Sequence, residues 1–204
     1  MSTLIKRSIF ALGLVLVLVL ANNNVCSECL MSKEVSSEVV VKLSVVEAWK
    51  KLQDLSLAHN YVPGLVKTEI TTEQKQGVGA SRMVYQTETK GIDETVIEWE
   101  EGQGFLIRLH RGEKGAPPPF KDAFFRYQIL PGADENTAVL KNTMRYTMGM
   151  GFFGDLLEKL MLKNIFKGVI RDVTISQKIF YETGEKVTPE RLKQAKADFK
   201  AASK

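Results

Sequence analysis

The spacing of hydrophobic residues changes along the first third of the chain, and each change predicts a different element. The β-branched stretch Val35–Leu43 predicts a strand. Ser44 and Glu47 then stand in the positions of a capping box, which predicts a helix from about Val45. A second short helical segment is expected within residues 56–64, because the Pro-Gly pair at its end stops a helix.

The central part of the chain consists of short alternating stretches that are separated by turns. Six strands are expected here, at residues 66–72, 80–89, 93–100, 105–111, 122–130 and 137–148. Successive strands that are joined by hairpin-length turns favour an antiparallel meander over parallel crossover units.

A long amphipathic helix is expected after the last strand, from Phe152 to Tyr181, with Gly184 as its C-cap. Its apolar stripe is predicted to contain Phe153, Leu156, Leu157, Leu160, Ile165, Val169, Val173 and Phe180. Such a helix, laid across an open sheet, buries one face of the sheet. Residues 185–204 are mostly charged and small, and we expect an exposed or frayed tail in which Thr188-Pro189 can start a last helix.

Residues 1–21 have the pattern of a secretory signal peptide. Lys6 and Arg7 precede the apolar run Ile9–Ala21, which is short for a membrane span, and cleavage is expected after Ala21. We therefore expect a periplasmic or secreted protein, with a membrane anchor through residues 8–21 as the alternative. Cleavage would lower the net charge from +4 to +2. A chain with nearly equal numbers of positive and negative charges is not expected to bind nucleic acid.

A polar linker is expected over residues 22–34, and it carries both cysteines of the chain, Cys26 and Cys29. Outside the cytoplasm these two can form a disulfide, and their spacing also fits a redox pair or half of a zinc site. Redox catalysis is disfavoured because the pair lies in a leader. The chain has only these cysteines and two separate histidines, His59 and His110. A zinc site of Cys and His ligands therefore cannot be assembled, and we expect no metal or other cofactor.

The order of these elements and several local motifs resemble a known superfamily. The motifs are Val45-Val-Glu-Ala-Trp49, Tyr61-Val-Pro63-Gly64, Gly77-Val-Gly79-Ala-Ser-Arg82 and Glu94-Thr-Val-Ile-Glu98-Trp99. They are similar to the helix-grip SRPBCC superfamily of START domains, birch-pollen-allergen proteins and polyketide cyclases or dehydrases. The resemblance implies an α+β helix-grip domain over residues 35–184. In this fold a curved antiparallel β-sheet of about seven strands wraps around a long C-terminal helix, with two short helices after the first strand.

The resemblance also implies a cavity between the concave sheet face and the long helix, and strand alternation predicts its lining. The candidate ligand-binding residues are Tyr61, Phe105, Ile107, Phe125, Tyr127, Asn142, Met144, Tyr146, Phe153 and Leu157. This set is aromatic and nearly free of charge, which suits an apolar ligand oriented by one or two hydrogen bonds. The alternative is that these side chains fill the interior completely.

Two further patterns are interpreted as structural. Glu94, Glu98 and Glu100 are expected to share one solvated sheet face. The stretch Gly149-Met-Gly151-Phe-Phe-Gly154 spells the dinucleotide fingerprint, but no strand is expected after the following helix. We interpret these glycines as a flexible junction. His59 and His110 are expected to be surface or packing residues rather than general bases.

The sequence therefore predicts an exported protein that binds an apolar small molecule or lipid, as a carrier or sensor rather than a catalyst. Two alternatives stay open. One is a cyclase-type or dehydratase-type enzyme that uses Tyr127, Tyr146 or a histidine as acid or base. The other is an accessory protein that binds a protein partner. Membrane contact is expected only transiently or through an uncleaved signal, and the sequence gives no oligomeric state.

Overall fold

One antiparallel sheet forms the centre of the protein in the computed structural model, which describes residues 32–149, 154, 156 and 162–202. Within these residues the sheet has seven strands in the spatial order β1-β7-β6-β5-β4-β3-β2. The strands are β1 (Lys33–Val41), β2 (Lys67–Ile70), β3 (Ser81–Tyr85), β4 (Gly91–Glu100), β5 (Gly104–His110), β6 (Phe120–Pro131) and β7 (Ala138–Met148). The predicted antiparallel meander is confirmed, and β7 closes it by pairing with β1.

Two short helices follow the first strand, as predicted. They are α1 (Val45–Leu52) and α2 (Ala58–Tyr61), with a single 3₁₀ turn between them at Leu55–Leu57. The capping box at the start of α1 is confirmed. The Glu47 backbone N–H donates to Ser44 Oγ over 3.2 Å, and the Ser44 N–H donates to Glu47 Oε2 over 2.9 Å. These reciprocal bonds satisfy donors that a helix N-terminus otherwise leaves free.

The long helix α3 spans Lys163–Thr183 and covers the concave face of the sheet. Gly184 ends it in the left-handed conformation at a φ of 75°, as the C-cap position requires. The buried side of α3 contains Ile170, Val173 and Phe180. Three described members of the predicted stripe are instead exposed, Leu156 at 43%, Ile165 at 52% and Val169 at 51%. Ile165 and Val169 lie in the N-terminal half of α3, whereas Ser176 and Phe180, which are on nearly the same side of the helix as Val169, are buried in its C-terminal half.

The helix start expected at Thr188-Pro189 is present, and Pro189–Ala202 form a further helix, α4, in place of a frayed tail. Lys196 Nζ donates to Asp172 Oδ2 of α3 over 2.7 Å, and Leu192 is half-buried. Most other residues of α4 are exposed, as expected. No helix in the described part of the chain is long and apolar enough to cross a membrane.

Several expectations fall outside the described residues. They concern the signal peptide at residues 1–21, most of the linker, the cysteines Cys26 and Cys29, and the lining candidates Phe153 and Leu157. Gly154 and Leu156, which lie within the predicted helix, are helical.

Candidate functional site

The concave face of the adjacent strands β5, β6 and β7 is formed by the residues that alternation predicted. Its buried members are Phe105, Ile107, Phe125, Tyr127, Asn142, Met144 and Tyr146. The strand register arranges six of them in two rows across the sheet. One row is Phe105, Tyr127 and Asn142, and the other is Ile107, Phe125 and Met144. The three side chains of each row are therefore neighbours and form one continuous surface across three adjacent strands.

A glycine permits the close approach of β5 to β6 at one end of this surface. A Cβ atom on Gly104 would overlap the Tyr127 carbonyl oxygen, which no side chain can tolerate. The approach places the ring of Phe105 against that of Tyr127, with 5.2 Å between their centroids. Gly104 is the first residue of β5, and its structural role is to position these two rings.

Tyr61 of α2 is the centre of an aromatic cluster between the sheet and α3. Its ring centroid lies 6.2 Å from that of Tyr127, 6.0 Å from that of Phe180 and 6.0 Å from that of Tyr181. Tyr146 lies in a second cluster, 5.0 Å from Phe166 of α3. The described lining candidates thus gather in two aromatic groups whose members contact one another and occupy much of the space beneath α3.

A buried ion pair lies beside the Tyr61 cluster. Arg82 is 1% exposed, and its Nε donates to Glu94 Oε2 over 2.7 Å while Nη1 donates to the Leu55 carbonyl over 2.8 Å. Its Nη2 has no hydrogen-bond partner within the described residues. Burial alone would lower the pKa of Arg82, but Glu94 and Tyr61 raise it above its usual value. The guanidinium is therefore a permanent cation in the interior.

This pair corrects two expectations, that the inward surface is nearly uncharged and that Glu94 shares a solvated face with Glu98 and Glu100. The reason is a β-bulge in β4: Val96 pairs with Ile107 and Glu98 with Leu106, so Ile97 is an extra residue. The extra residue reverses the alternation. Glu94 therefore faces inward, whereas the predicted outward position of Glu98 and Glu100 is correct. Both of these bond to Arg126 on the outer face.

A chain of buried polar side chains connects β7 to α3. Asn142 Nδ2 donates to Thr174 Oγ1 over 3.1 Å and to Gln177 Oε1 over 2.7 Å. Gln177 Nε2 then donates to the Tyr181 hydroxyl over 3.1 Å. Asn142 Oδ1 has no partner among the described residues. Sequence reasoning found only Asn142. The i, i+3 and i+7 spacing of Thr174, Gln177 and Tyr181 was the pattern that could have identified the rest.

Burial controls the protonation of the tyrosines at this site. It raises the pKa of Tyr61, and it raises the pKa values of Tyr127 and Tyr181 well above their usual range. All three hydroxyls are thus neutral at physiological pH and can serve as hydrogen-bond donors.

The two histidines lie apart from the ion pair. His110 Nε2 is 2.8 Å from Thr95 Oγ1, and its position next to Leu109 places it on the outer sheet face. His59 on α2 is half-buried. Neither histidine contacts a carboxylate in the part of the chain that is described. Among the same residues, no cluster of three or more His, Cys, Asp or Glu side chains could hold a metal ion.

Residues 32–174 match the family described as polyketide cyclase/dehydrase and lipid transport. No curated protein matches the sequence.

Three solved structures are similar to the chain at low sequence identity. XoxI of Bacillus cereus is 13% identical with a TM-score of 0.56, over 72% of this chain and 94% of XoxI. A protein of Thermus thermophilus is 16% identical with a TM-score of 0.55, over 80% and 99% respectively. Norcoclaurine synthase of Thalictrum flavum is 17% identical with a TM-score of 0.51, over 74% and 88%. These similarities establish the fold.

The family match spans well over half of the chain, and the described strands and helices have the α+β helix-grip arrangement. The family and the fold together indicate a protein that binds a hydrophobic ligand. The chain belongs to the polyketide cyclase/dehydrase and lipid transport family.

Proposed function

We propose that this protein is an exported carrier or sensor that holds an apolar small molecule or lipid between the concave sheet face and α3. The observation that carries the proposal is the composition of that interior. Aromatic and aliphatic side chains form its walls, while two buried polar atoms, Arg82 Nη2 and Asn142 Oδ1, have no partner within the described residues. Such walls with a few convergent polar groups are typical of small-molecule sites.

The polar atoms define the kind of ligand that fits. Arg82 Nη2 and the hydroxyls of Tyr61 and Tyr127 are donors on one side of the interior, so they favour a ligand oxygen that accepts hydrogen bonds. Asn142 Oδ1, on the strand next to Tyr127, is an acceptor and favours a ligand hydroxyl. We therefore expect a largely apolar molecule with one or two oxygen functions. Because the aromatic side chains contact one another, binding would require them to separate.

Native mass spectrometry of the protein purified from the exported fraction tests the binding function, together with displacement of the neutral fluorescent probe N-phenyl-1-naphthylamine. We expect a retained or exchangeable apolar ligand and saturable probe binding. Met144→Trp, which adds a large side chain to the buried surface, should abolish probe binding. Arg145→Trp introduces the same side chain at the next, exposed position and is the matched control.

Two outcomes would overturn the proposal: an absence of saturable binding to the folded wild-type protein, or equal binding by both tryptophan variants. Thermal unfolding of each variant shows whether it is folded, and Met144→Leu reports on the same position without the added bulk.

Export is the second part of the proposal, and it is supported by the pattern of residues 1–21. N-terminal sequencing of the protein from its natural host should begin at Asn22. An intact Met1 on protein in the membrane fraction would support the anchor instead. An intact Met1 on protein in the cytoplasm would contradict both.

A catalytic role is the second candidate, and the buried tyrosines beside a permanent cation favour it. Neutral tyrosines can donate a proton, and Arg82 could stabilise negative charge that develops on a carbonyl oxygen.

The norcoclaurine synthase structure is described in complex with dopamine and hydroxybenzaldehyde. Incubation with this amine and aldehyde, followed by mass spectrometry, would detect a condensation product formed with loss of one water. Product from the wild type, with at least tenfold less from Tyr127→Phe, would support catalysis. Equal product from both would exclude this role for Tyr127.

A further inference from the structure

A groove beside α3 is lined in part by Tyr61 of α2, which also belongs to the aromatic cluster between the sheet and α3. It is bounded by the segment after α2, by α3 and by the start of α4, and it encloses about 280 Å³. Pro63, Val187, Pro189 and Leu192 form its apolar wall. This volume is at the lower end of the range for small-molecule sites, so a ligand of about ten heavy atoms fits better than a lipid chain.

Ser176 of α3 is one of the residues that line this groove, and its hydroxyl is unsatisfied. The residue is 0% exposed, and Ser176 Oγ has no hydrogen-bond partner among the described residues, so a ligand reaches this oxygen only when the surrounding side chains shift. A buried hydroxyl without a partner destabilises the folded state, and most buried polar groups in proteins do have partners. An acceptor atom of a ligand in the groove would remove this penalty.

The rim of the groove carries a positively charged side chain, Lys193, that stabilises no other part of the described structure. Lys193 of α4 lines the groove and is exposed, and within the described chain it makes no hydrogen bond or ion pair. The other lysine at the rim, Lys196, is bonded to Asp172 of α3 over 2.7 Å. The groove therefore combines one uncompensated positive charge, one buried hydroxyl donor and an apolar wall. This combination is complementary to an anion that has an apolar body.

We propose that this groove is a second binding site, next to the interior site at Tyr61, and that it takes a small monocarboxylate with an apolar body. The carboxylate accepts a hydrogen bond from the Ser176 hydroxyl and is attracted by the Lys193 ammonium group. The apolar body packs against Leu192 and the neighbouring wall. The site does not depend on the proposed interior ligand, because its polar groups come from the side of α3 and from α4.

NMR titration of the full-length protein with benzoate, benzyl alcohol and benzylamine tests the proposal, because the three probes share a ring and differ in charge. Benzoate should shift the amide resonances of Ser176, Leu192 and Lys193 in a saturable manner. It should bind at least about tenfold more tightly than benzylamine, with benzyl alcohol between them. Equal affinities for the three probes, or benzoate shifts confined to other regions, would overturn the proposal.

Two substitutions distinguish a binding role from a structural one. Ser176→Ala removes the unsatisfied hydroxyl, so it should raise the thermal midpoint of the ligand-free protein and weaken benzoate binding about fivefold. Lys193→Gln should weaken benzoate binding by a similar factor. Lys200→Gln, which removes a charge from the same helix outside this groove, is the matched control and should keep the wild-type affinity.

Wild-type benzoate affinity in Ser176→Ala, or an equal loss in Lys193→Gln and Lys200→Gln, would contradict the site. Met144→Trp, which blocks the interior, should leave benzoate binding unchanged. A loss of benzoate binding in that variant would assign the carboxylate to the interior instead.

Discussion

Arg82 and Glu94 are opposite charges that face each other inside a mostly aromatic and aliphatic interior. The transfer of two charges out of water is costly, and their attraction offsets this cost only while both are present. Their contribution to stability therefore differs from that of the exposed pair between Arg126 and Glu98, where water screens the charges. At the scale of single residues, the contribution of a buried ion pair to stability can therefore be compared directly with that of an exposed one.

Glu94→Leu should lower the free energy of unfolding by about 3–5 kcal/mol, because it leaves the Arg82 cation uncompensated. The double variant Arg82→Met/Glu94→Leu should recover most of this loss, since no buried charge is left. Arg126→Met, which breaks the exposed pair, should cost less than about 1 kcal/mol. Urea denaturation measures all three. A double variant as unstable as Glu94→Leu would show that packing, rather than charge, determines the effect.

His59 provides a prediction about pH. Burial, and secondly the nearby Lys186, lower its pKa below the ordinary value of 6.5. The folded protein thus binds fewer protons at this residue than the unfolded chain does. The resulting stabilisation is complete above pH 6.5 and is lost as the pH falls through the folded-state pKa.

The ring resonances of His59 should therefore titrate below pH 6.5 in the folded protein, and at the ordinary pKa in concentrated urea. His59→Gln should flatten the decline of unfolding free energy between about pH 7 and pH 5. A folded-state titration at or above pH 6.5 would contradict the assignment.

At the scale of elements, the bulge in β4 determines which side chains reach the interior. Glu94 and Val96, which precede the bulge, face inward, and Trp99, which follows it, also faces inward. Residues 94 and 99 are an odd number of positions apart, so they would face opposite sides of a regular strand. A regular strand could not place Glu94 beside Arg82 and also stack Trp99 on Phe105, whose ring centroids are 5.5 Å apart.

Deletion of Ile97 should be tolerated, because it removes the extra residue and leaves the facing of Glu94 and Trp99 unchanged. We expect a loss of less than about 2 kcal/mol in unfolding free energy. Deletion of Leu106 on the neighbouring strand is the matched control, since it reverses the facing of Phe105 relative to Ile107 and should prevent cooperative folding. Denaturation monitored by circular dichroism compares the two. An equal loss of unfolding free energy in both deletion variants would refute this account of the bulge.

At the scale of the whole molecule, the sheet is covered by α3, and α3 is covered in turn by α4 near its C-terminal half. Ile175 and Ser176 are buried where α3 passes beneath α4. The last helix therefore protects the second half of α3, whereas Ile165 and Val169 in the first half stay exposed.

Truncation after Thr188 should leave the sheet folded and lower the free energy of unfolding by about 1–3 kcal/mol, because Ile175 loses part of its cover. The far-ultraviolet spectrum should lose helix signal without losing strand signal. Truncation after Ala202 is the control and should have no effect. Collapse of the whole fold in the shorter chain would show that α4 is essential rather than protective.

The elements and the antiparallel meander could be predicted from the sequence because their determinants are local, whereas the helix-grip arrangement was implied by the family resemblance. Strand alternation, hairpin-length turns, the Ser44 and Glu47 capping box and the Gly184 cap each act over a few residues. The inward rows on β5, β6 and β7 followed from the same alternation, so Phe105, Tyr127 and Asn142 were identified correctly as buried residues.

The polar part of the site could not be predicted in this way, because it depends on contacts between distant segments. The inward position of Glu94 results from a bulge against β5, and the bond from Arg82 to the Leu55 carbonyl crosses 27 residues. The exposure of Ile165 and Val169 likewise depends on contacts with distant segments, because α4 covers only the second half of α3. Periodicity identifies an apolar helix face, but it does not show how much of the helix length is covered.

The two tryptophans of the chain make the proposed sites spectroscopically separable. The Nε1 atoms of Trp49 and Trp99 both donate to the Glu101 carboxylate, over 3.0 Å and 2.8 Å, and their ring centroids are 5.0 Å apart. All indole emission therefore originates at one point, next to Phe105 and the sheet interior. A molecule that separates Phe105 from Tyr127 would change this emission without any added label, whereas one bound beside Ser176 would leave the emission unchanged.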